Sequence, residues 1–449
     1  MRDQTQTTEV PSGAEASIVG RGARDGARLF REWFSNLTEI AASGETAAYV
    51  FVMGSMAEIL HSFDLPVVFP EINSLQTAIR QTSIEYLEEA EDFGYSPDIC
   101  GYVKADFAMQ MRGGQHPMVT LPKPGISVTT NGCNTYIKWA EIWERMYDIP
   151  VVVIDVPSSR AAGFSSQPGD GTFEYERRYM VGQIKELIAA CEKITGKKFD
   201  IDKFRQHLAW SNEMSACWKQ VVALNQNTPA VFNALADGTT YLGMSNCFRG
   251  TEVGARYFKE LLEELTYRSK NGIGIVAQVD GDQIQVDQKY RLAFIGVPCY
   301  PMFRNFSAMF ARWGGVFVTS SYLSFASGGA DFGYQFDLDN PIESFAEGSL
   351  VTLRDTMDGI FHQCPDIEAP KTVFDLDGIV YHPIKSCRTA STGLADRRLH
   401  MAEDHGLATL FLESDMMDPR VVTEAPMRNR VDAFFEGLES RRHQRAVSA

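Results

Sequence analysis

Short apolar runs alternate with helical stretches along the first third of the chain. Four runs have the length and composition of buried strands: Ala48–Met53, Leu65–Phe69, Ile126–Thr130 and Val151–Val156. Between them apolar residues recur every three to four positions, which predicts helices over Phe30–Ile40, Met56–Phe63, Asn73 (as N-cap) to about Ala90, Pro97–Met111, and Cys133 to about Met146. This alternation is typical of parallel β-α-β units whose sheet is covered on both faces.

The same alternation returns in the last third of the chain, after a long helical stretch. The helical pattern runs from Tyr175 to about Arg268, with a predicted interruption near Gly238–Gly243. Further strands are predicted over Arg291–Val297, Gly315–Thr319, Gly378–Ile384 and Thr409–Glu413. We therefore predict an α/β protein with two open, mostly parallel-sheet domains of the flavodoxin or Rossmann type. The predicted division is a disordered tail (1–25), an N-terminal domain (26–160), a helical middle segment (161–285) and a C-terminal domain (286–449).

Composition and charge narrow the classes of function. The 449 residues are 44% hydrophobic and 22% charged, which is ordinary for a globular protein that folds without disulfides. With a net charge of −16, the chain lacks the basic field that nucleic acid selects, and we expect no nucleic-acid partner. We also expect no membrane association and a cytoplasmic location, because the sequence shows no 18-residue apolar run and no secretory signal.

Several common catalytic motifs are missing from the sequence. It contains no G-x-x-x-x-G-K-[ST], no strand-linked G-x-G-x-x-G, no G-x-S-x-G and no H-E-x-x-H. This argues against the commonest kinase, dehydrogenase and hydrolase chemistries. If ATP is used, we expect another chain to hydrolyse it.

The sequence contains eight widely spread cysteines and no C-x-x-C. This spacing excludes a zinc ribbon, a thioredoxin-type pair and a bacterial ferredoxin run. Five of the cysteines are interpreted as small buried residues: Cys191, Cys217, Cys247, Cys299 and Cys364.

The other three cysteines, Cys100, Cys133 and Cys387, lie at junctions beside glycine or small residues. Cys133 and Cys387 each follow a predicted strand, and Cys100 opens a predicted helix. Ligands of open α/β sheets bind beyond the carboxyl ends of strands, and a helix start stabilises a thiolate. Either inert thiols or a metal site assembled from distant segments is consistent with these residues alone.

The sequence around these three cysteines resembles one protein family. The segments PDICGYVKAD (97–106), NGCNTYIKW (131–139) and DGIVYHPIKSC (377–387) are similar to the three cysteine segments of the benzoyl-CoA reductase and 2-hydroxyacyl-CoA dehydratase family. The resemblance extends over about residues 45–440. The YVKAD run, the Lys-Trp pair and IKSC favour the reductase branch, and within it the larger core subunit of the ATP-dependent enzymes.

The resemblance implies a cofactor, partners and an activity. A [4Fe–4S] cluster would be bound by Cys100, Cys133 and Cys387, and Glu71 would face the cluster and the thioester. The implied partners are a homologous smaller core subunit, ATP-hydrolysing iron–sulfur activator subunits, a low-potential electron donor such as ferredoxin, and an aryl-CoA substrate. The implied reaction reduces the aromatic ring of benzoyl-CoA, or of a substituted benzoyl-CoA, to a cyclic dienoyl-CoA.

Three alternatives remain open at this point. They are a 2-hydroxyacyl-CoA dehydratase subunit of the same family, a non-catalytic electron-relay subunit, and an ordinary α/β protein with inert cysteines. Glu71 is equally well explained as a first-turn helix residue favoured by the helix dipole.

Five further features admit a structural interpretation as well as a functional one. His61 and His382 are interpreted as satisfied or surface histidines. Lys104 and Lys138 are predicted on solvated helix faces, although either could screen cluster charge or bind a CoA phosphate. The segment Glu413–Arg420 is explained equally well by function or by charge pairing between elements.

Overall fold

The computed structural model describes residues 18–157, 166–279, 282–354, 356 and 372–448. Cys364, interpreted above as buried, lies outside the described residues. The strands are β1 Ala47–Val50, β2 Val67–Val68, β3 Pro124–Thr130, β4 Val151–Ile154, β5 Val276–Val279, β6 Asp282–Gln285, β7 Tyr290–Gly296, β8 Gly315–Ser320, β9 Gly378–His382 and β10 Ala408–Phe411.

The α-helices follow the strands in the predicted alternation. They are α1 Arg21–Ser43, α2 Ala57–Ser62, α3 Pro70–Ile79, α4 Ser83–Phe93, α5 Gly101–Met111, α6 Asn134–Tyr147, α7 Gly171–Thr195, α8 Ile201–Leu224, α9 Ala236–Cys247, α10 Glu252–Lys270, α11 Phe303–Ala311, α12 Ser321–Phe325, α13 Pro341–Ser349, α14 Arg388–Ser391, α15 Leu394–Glu403 and α16 Glu424–Ser448. Short 3-10 turns cover Tyr300–Met302, Ala330–Phe332 and Pro419–Val421, and a π-helical turn covers Leu350–Arg354.

Strands β1 to β4 form a parallel sheet in the order β2-β1-β3-β4. The central strand β1 is buried along its whole length, as expected for a strand with helices on both faces. The chain reverses its winding direction between β1 and β3. Such a switch point leaves a crevice beyond the carboxyl ends of the two strands, where ligands of open α/β sheets bind.

Strands β7 to β10 form a second parallel sheet in the order β10-β9-β7-β8. Numbered within its own half of the chain, this sheet has the same winding as the first, and its switch point lies between β7 and β9. The predicted fold class, two open parallel-sheet units with helices between them, is confirmed. The antiparallel hairpin β5–β6 was not predicted.

Helices α7 to α10 form the predicted helical middle of the chain, but their ends differ from the prediction. The expected interruption near Gly238–Gly243 is wrong, because helix α9 runs unbroken through both glycines. A Cβ at Gly238 would lie 2.7 Å from Leu323, and one at Gly243 would lie 2.8 Å from Phe30. The glycines therefore permit close packing, and the helix breaks fall at 196–200, 225–235 and 248–251.

Two further predictions in the N-terminal half need correction. The helix expected from Asn73 to Ala90 is two helices, α3 and α4, separated at Gln81, whose φ is 63°. Asn73 is buried inside α3, and Phe69 is the N-cap, because Pro70 suits the first helical position.

The predicted tail over 1–25 is also too long, because α1 begins at Arg21. Glu264 of α10 caps α1 by accepting a hydrogen bond from the backbone N–H of Gly22 at 2.6 Å. The remaining domain boundaries stay predictions. Within the described residues, no helix is both long and apolar enough to cross a membrane.

Candidate active site

A cavity of about 540 Å³ lies where the two switch-point crevices meet. Its wall includes residues from the loops that follow four strands: Met53 after β1, Cys133 after β3, Tyr300 after β7 and Cys387 after β9. Cys100 and Glu71 also line it. The structure thus brings all four predicted site residues to one cavity, although up to 316 positions separate them in the chain.

Each of the three cysteines is the N-cap of a helix. Cys100 precedes α5, Cys133 precedes α6, and Cys387 precedes the single turn α14. No side-chain cap hydrogen bond forms at these three helix starts. Nearby backbone N–H groups nevertheless act to lower the pKa of each thiol: those of Tyr102 and Val103, of Thr135, and of Thr389 and Ala390. Such donors stabilise a thiolate, and they tune a metal that the thiolate binds.

The sulfurs lie within one another's electrostatic field. Burial, and then the neighbouring Cys387 and Cys133, raise the pKa of Cys100 well above its usual range. Burial also raises the pKa of Cys133, and it raises that of Cys387 to about 12. Without a cation, these thiols remain protonated at neutral pH, and a bound metal would supply the missing positive charge.

The chemistry of the donor set is one that could bind an iron–sulfur cluster. No group of three or more His, Cys, Asp or Glu side chains in the described part of the chain can bind one metal ion. The ligands of a cluster attach to different iron atoms, so they surround a volume and do not converge on a point. Three thiols on one cavity wall are the soft ligands that iron–sulfur clusters require.

The thiols separate the cavity from an outer cleft. The same three cysteines also line this cleft of about 630 Å³, whose wall includes the exposed residue Lys138 together with Arg145 and Arg388. The loop after Cys387 contacts the loop that bears Cys133. The Thr389 hydroxyl lies 4.0 Å from the Cys133 sulfur and donates to Asn134 at 3.1 Å. A group held by the cysteines would therefore face both spaces.

Asp106 connects the helices that carry Cys100 and Cys133. This fully buried carboxylate on α5 accepts hydrogen bonds from the indole N–H groups of Trp139 (2.7 Å) and Trp143 (2.8 Å) on α6. Burial raises the pKa of Asp106 to about 6, although its hydrogen bonds lower it. Asp106 belongs to the segment 97–106 that carries the resemblance, but it was not predicted as a site residue.

Asp415 has a similar role beside Cys387. One of its oxygens accepts from the backbone N–H of Ser386 at 2.8 Å, and the other accepts from Met417 (2.8 Å) and Asp418 (3.0 Å). Asp415 is 1% exposed. It lies in the segment Glu413–Arg420 singled out above, and its contacts show that it holds the loop bearing Cys387.

Glu71 lies in the first turn of α3, as predicted, but its side chain is buried against the cavity. The Tyr136 hydroxyl donates to Oε1, and the backbone N–H of Val52 donates to Oε2 at 2.8 Å. Burial raises the pKa of Glu71 to about 7, against the lowering effect of these two hydrogen bonds. A carboxyl group with this pKa can hold or release a proton at neutral pH. Tyr136 was not predicted as a site residue.

The two histidines differ in burial: His382 is fully buried and His61 is half-buried. The carbonyl of Val297 accepts from Nδ1 of His382 at 2.6 Å, so Nε2 is the nitrogen that accepts from the Ser414 hydroxyl at 2.5 Å. The interpretation of His382 as a satisfied histidine is confirmed. His61 is half-buried, beside His207 and outside the cavity wall.

The two lysines have different environments. Lys138 is exposed, as predicted, and pairs with Glu141 at 2.8 Å. The solvated position predicted for Lys104 is wrong, because Lys104 is 1% exposed. Its Nζ bonds Glu91 at 2.8 Å and the carbonyl of Pro97 at 2.9 Å. Arg420 also pairs with Glu91 at 2.7 Å, so charge pairing between elements explains its position.

The remaining cysteines behave mostly as predicted. Cys191, Cys247 and Cys299 are buried, whereas Cys217 is only half-buried. None of these four lines the cavity.

The chain is similar to known proteins over most of its length. A family model described as 2-hydroxyglutaryl-CoA dehydratase, D-component, matches residues 54–438. One of the subunits of benzoyl-CoA reductase from Thauera aromatica is 31% identical over 414 residues, which cover 91% of this chain and 92% of the relative.

Two dehydratase subunits are also similar. The (R)-2-hydroxyisocaproyl-CoA dehydratase alpha subunit of Clostridioides difficile is 29% identical over 390 residues, covering 86% of this chain and 88% of the relative. The alpha subunit of (R)-2-hydroxyglutaryl-CoA dehydratase from Acidaminococcus fermentans is 24% identical over 459 residues, covering 85% and 90%. The family match spans all three cysteine segments and Glu71.

Proposed function

The chain belongs to the 2-hydroxyglutaryl-CoA dehydratase D-component family, and on this premise we propose that it is a [4Fe–4S]-carrying core subunit of an ATP-dependent aryl-CoA reductase. The observation that carries the proposal is the meeting of Cys100, Cys133, Cys387 and Glu71 at one cavity. The substrate is benzoyl-CoA or a substituted benzoyl-CoA. The product is the cyclic dienoyl-CoA.

The three cysteines would hold the cluster, each from the N-cap of a helix, where nearby backbone N–H groups favour the thiolate. When bound, the cluster would supply low-potential electrons to the acyl thioester. The outer cleft gives an ATP-hydrolysing activator, itself reduced by a ferredoxin-like donor, access to the same thiols. A homologous smaller core subunit completes the enzyme, in keeping with relatives that are themselves subunits of larger enzymes.

The cavity suits the acyl end of an aryl-CoA. Its volume lies within the ordinary range for small-molecule sites. Apolar side chains from both halves of the molecule line it, among them Leu75, Met118, Phe303 and Phe325. These side chains would orient an aromatic ring and exclude water from it. The reduced ring would then take its protons from groups of the protein and not from solvent.

Glu71 would hold the proton that the reduced ring requires. The overall reaction adds two electrons and two protons to the ring, and nothing leaves. Among the described residues that line the cavity, Glu71 is the only carboxyl group. Tyr136 and Val52 fix its orientation from the protein side. Its raised pKa leaves a substantial protonated fraction at neutral pH.

The cluster assignment is tested by iron content. The chain is purified anaerobically with its partner subunit, and iron and acid-labile sulfide are measured. We expect Cys100→Ala, Cys133→Ala and Cys387→Ala each to lower both, because each removes one ligand. Cys217→Ala, which changes a half-buried cysteine away from the cavity, is the matched control. Unchanged iron in all three site variants would overturn the proposal.

A dehydratase subunit is the second candidate, because two of the relatives above carry that activity in their names. The two functions differ in electron balance. A reductase consumes two electrons for each product molecule, whereas elimination of water from a 2-hydroxyacyl-CoA has no net electron requirement. Titration of the reductant against the product, with benzoyl-CoA and with a 2-hydroxyacyl-CoA, distinguishes them.

A further inference from the structure

Three tyrosine hydroxyl groups that neither the sequence nor the proposal above has used meet at the cavity. Tyr102 lies in the first turn of α5, two residues after Cys100. Tyr300 follows β7, and Tyr322 follows β8 in α12. All three line the cavity. Each hydroxyl lies in the electrostatic field of the other two, so they form one cluster, which we call the tyrosine cluster.

The tyrosine cluster has three hydroxyl protons but, among the described residues, only one internal hydrogen bond of ordinary geometry. The hydroxyls of Tyr300 and Tyr322 are 2.7 Å apart, and one donates to the other. That bond uses one of their two protons, and the second proton has no other acceptor in the described part of the chain. The Tyr102 hydroxyl is buried and has no partner at ordinary hydrogen-bond geometry among these residues, although it lies close enough to interact with the hydroxyls of Tyr300 and Tyr322. Two O–H donors are therefore available on the cavity wall.

An unpaired buried hydroxyl is costly, which points to a ligand. Leaving a buried donor without a partner is unfavourable, and Tyr102 is only 9% exposed. The cost is offset when a bound molecule supplies the acceptor. A phenyl ring has no strong acceptor atom, but the thioester carbonyl beside it has an oxygen that accepts two hydrogen bonds.

The position of the tyrosine cluster suits that carbonyl. Tyr102 is adjacent in the chain to the Cys100 turn, and Glu71 interacts electrostatically with Tyr102, Tyr300 and Tyr322. An electron that enters the acyl thioester places negative charge on the carbonyl oxygen. Donors fixed beforehand around that oxygen stabilise the charge without rearrangement.

We propose that Tyr102 and the Tyr300–Tyr322 pair bind the carbonyl oxygen of an acyl-CoA thioester and stabilise the negative charge that develops on it during reduction. This inference rests on the proposed function. It places the carbonyl oxygen of the substrate at the tyrosine cluster, in direct contact with its hydroxyl groups. It involves no proton transfer from the tyrosines.

The test uses the anaerobically purified complex and benzoyl-CoA labelled with 13C at the acyl carbonyl. Isotope-edited infrared difference spectra, recorded without reductant, report hydrogen bonding to the carbonyl oxygen. We expect the stretch of the bound carbonyl to lie at lower frequency than that of the free thioester. Tyr102→Phe and Tyr322→Phe should each move it back toward higher frequency, because each removes a donor but keeps the ring.

Turnover gives the second readout. Removal of one donor from an oxyanion site lowers kcat by about 10²-fold or more, so we expect that loss in Tyr102→Phe with a much smaller change in KM. Tyr381→Phe is the matched control, because Tyr381 is buried outside the cavity. Its hydroxyl makes one long bond of 3.4 Å, to the carbonyl of Arg397. We expect neither readout to change in this control.

The outcomes separate this inference from the proposed function. If the complex binds the labelled thioester but neither phenylalanine variant shifts the carbonyl stretch, the tyrosine cluster does not contact the carbonyl, and the proposed function stands. If the complex fails to bind benzoyl-CoA, both are overturned. Circular dichroism spectra that match the parent protein show that a variant has folded.

Discussion

The two parallel sheets share one winding order, yet they hold their thiols in different ways. On the N-terminal side, Cys100 and Cys133 cap helices of eleven and fourteen residues, and the buried Asp106 bonds one helix to the other. On the C-terminal side, Cys387 caps a single turn of four residues. That loop is held by backbone N–H groups that donate to Asp415.

This difference bears on how the site is assembled. Side chains buried between long helices become free only when the helices separate, which requires unfolding of a large part of the domain. A loop held by backbone hydrogen bonds opens at a lower free energy. We therefore expect the N-terminal side to form a rigid half of the site, and the C-terminal side to complete it. Three substitutions test this comparison, from the largest expected effect to the smallest.

Asp106→Ala should have the largest effect, on stability. The substitution leaves the indole N–H groups of Trp139 and Trp143 buried without an acceptor, and we expect a loss of about 4 kcal/mol in the free energy of unfolding. Urea unfolding of the full chain measures it. Asp106→Asn keeps one acceptor oxygen and should lose less. Equal stability of the parent and Asp106→Ala would contradict the rigid N-terminal half.

Asp106 illustrates which parts of the site could be predicted from the sequence and which could not. Periodicity predicted the sheets and most of the helices, because burial on both faces of a sheet leaves continuous apolar runs. The resemblance pointed to the cysteines, which the fold then brings to one cavity. Asp106 and Lys104 were missed or misplaced because their partners, Trp139 and Glu91, lie on other helices. Helical spacing says nothing about contacts between helices that are distant in sequence.

Glycines and tyrosines illustrate the same limit. Gly238 and Gly243 suggested a helix break, but they lie where Leu323 and Phe30 approach the helix closely. Tyr102 and Tyr300 look like ordinary core aromatics in the sequence. Only the three-dimensional structure shows that their hydroxyls meet at the cavity.

Glu71→Gln should have the next largest effect, on the pH dependence of turnover. Glu71 has its pKa raised to about 7, so the protonated form prevails below that pH, and parent activity should fall as the pH rises through it. The glutamine variant cannot donate a proton and should lose about 10²-fold in kcat. Its activity should also lack the fall near pH 7 that we expect for the parent protein.

The control and the stability of the chain sharpen the Glu71 prediction. Glu85→Gln, at an exposed position of α4 that lines neither the cavity nor the outer cleft, should keep the parent profile. Because the folded-state pKa lies above the unfolded value, the stability due to protonation of Glu71 is present below the unfolded pKa and lost as the pH rises through about 7. If the activity of Glu71→Gln still fell near pH 7 as in the parent protein, the proton donor would be a group other than Glu71.

Asp415→Ala should have the smallest effect on global stability and a local effect on the C-terminal side. The substitution removes the acceptor for the N–H groups of Ser386, Met417 and Asp418, and we expect a loss of about 2 kcal/mol in the free energy of unfolding. Because Ser386 precedes Cys387, amide hydrogen exchange should quicken around that cysteine and iron content should fall. Exchange in α5 and α6 should stay at the parent rate.

The neighbouring Asp418→Ala gives a matched control for this last substitution. The Asp418 carboxylate accepts from Arg420 and has no bond to the Cys387 loop, so exchange around Ser386 should not change in that variant. If Asp415→Ala instead quickens exchange in α5 and α6 as much as around Cys387, the two sides open together. The contrast between a rigid N-terminal half and a separately held C-terminal loop would then be wrong, even if all three cysteines bind one cluster.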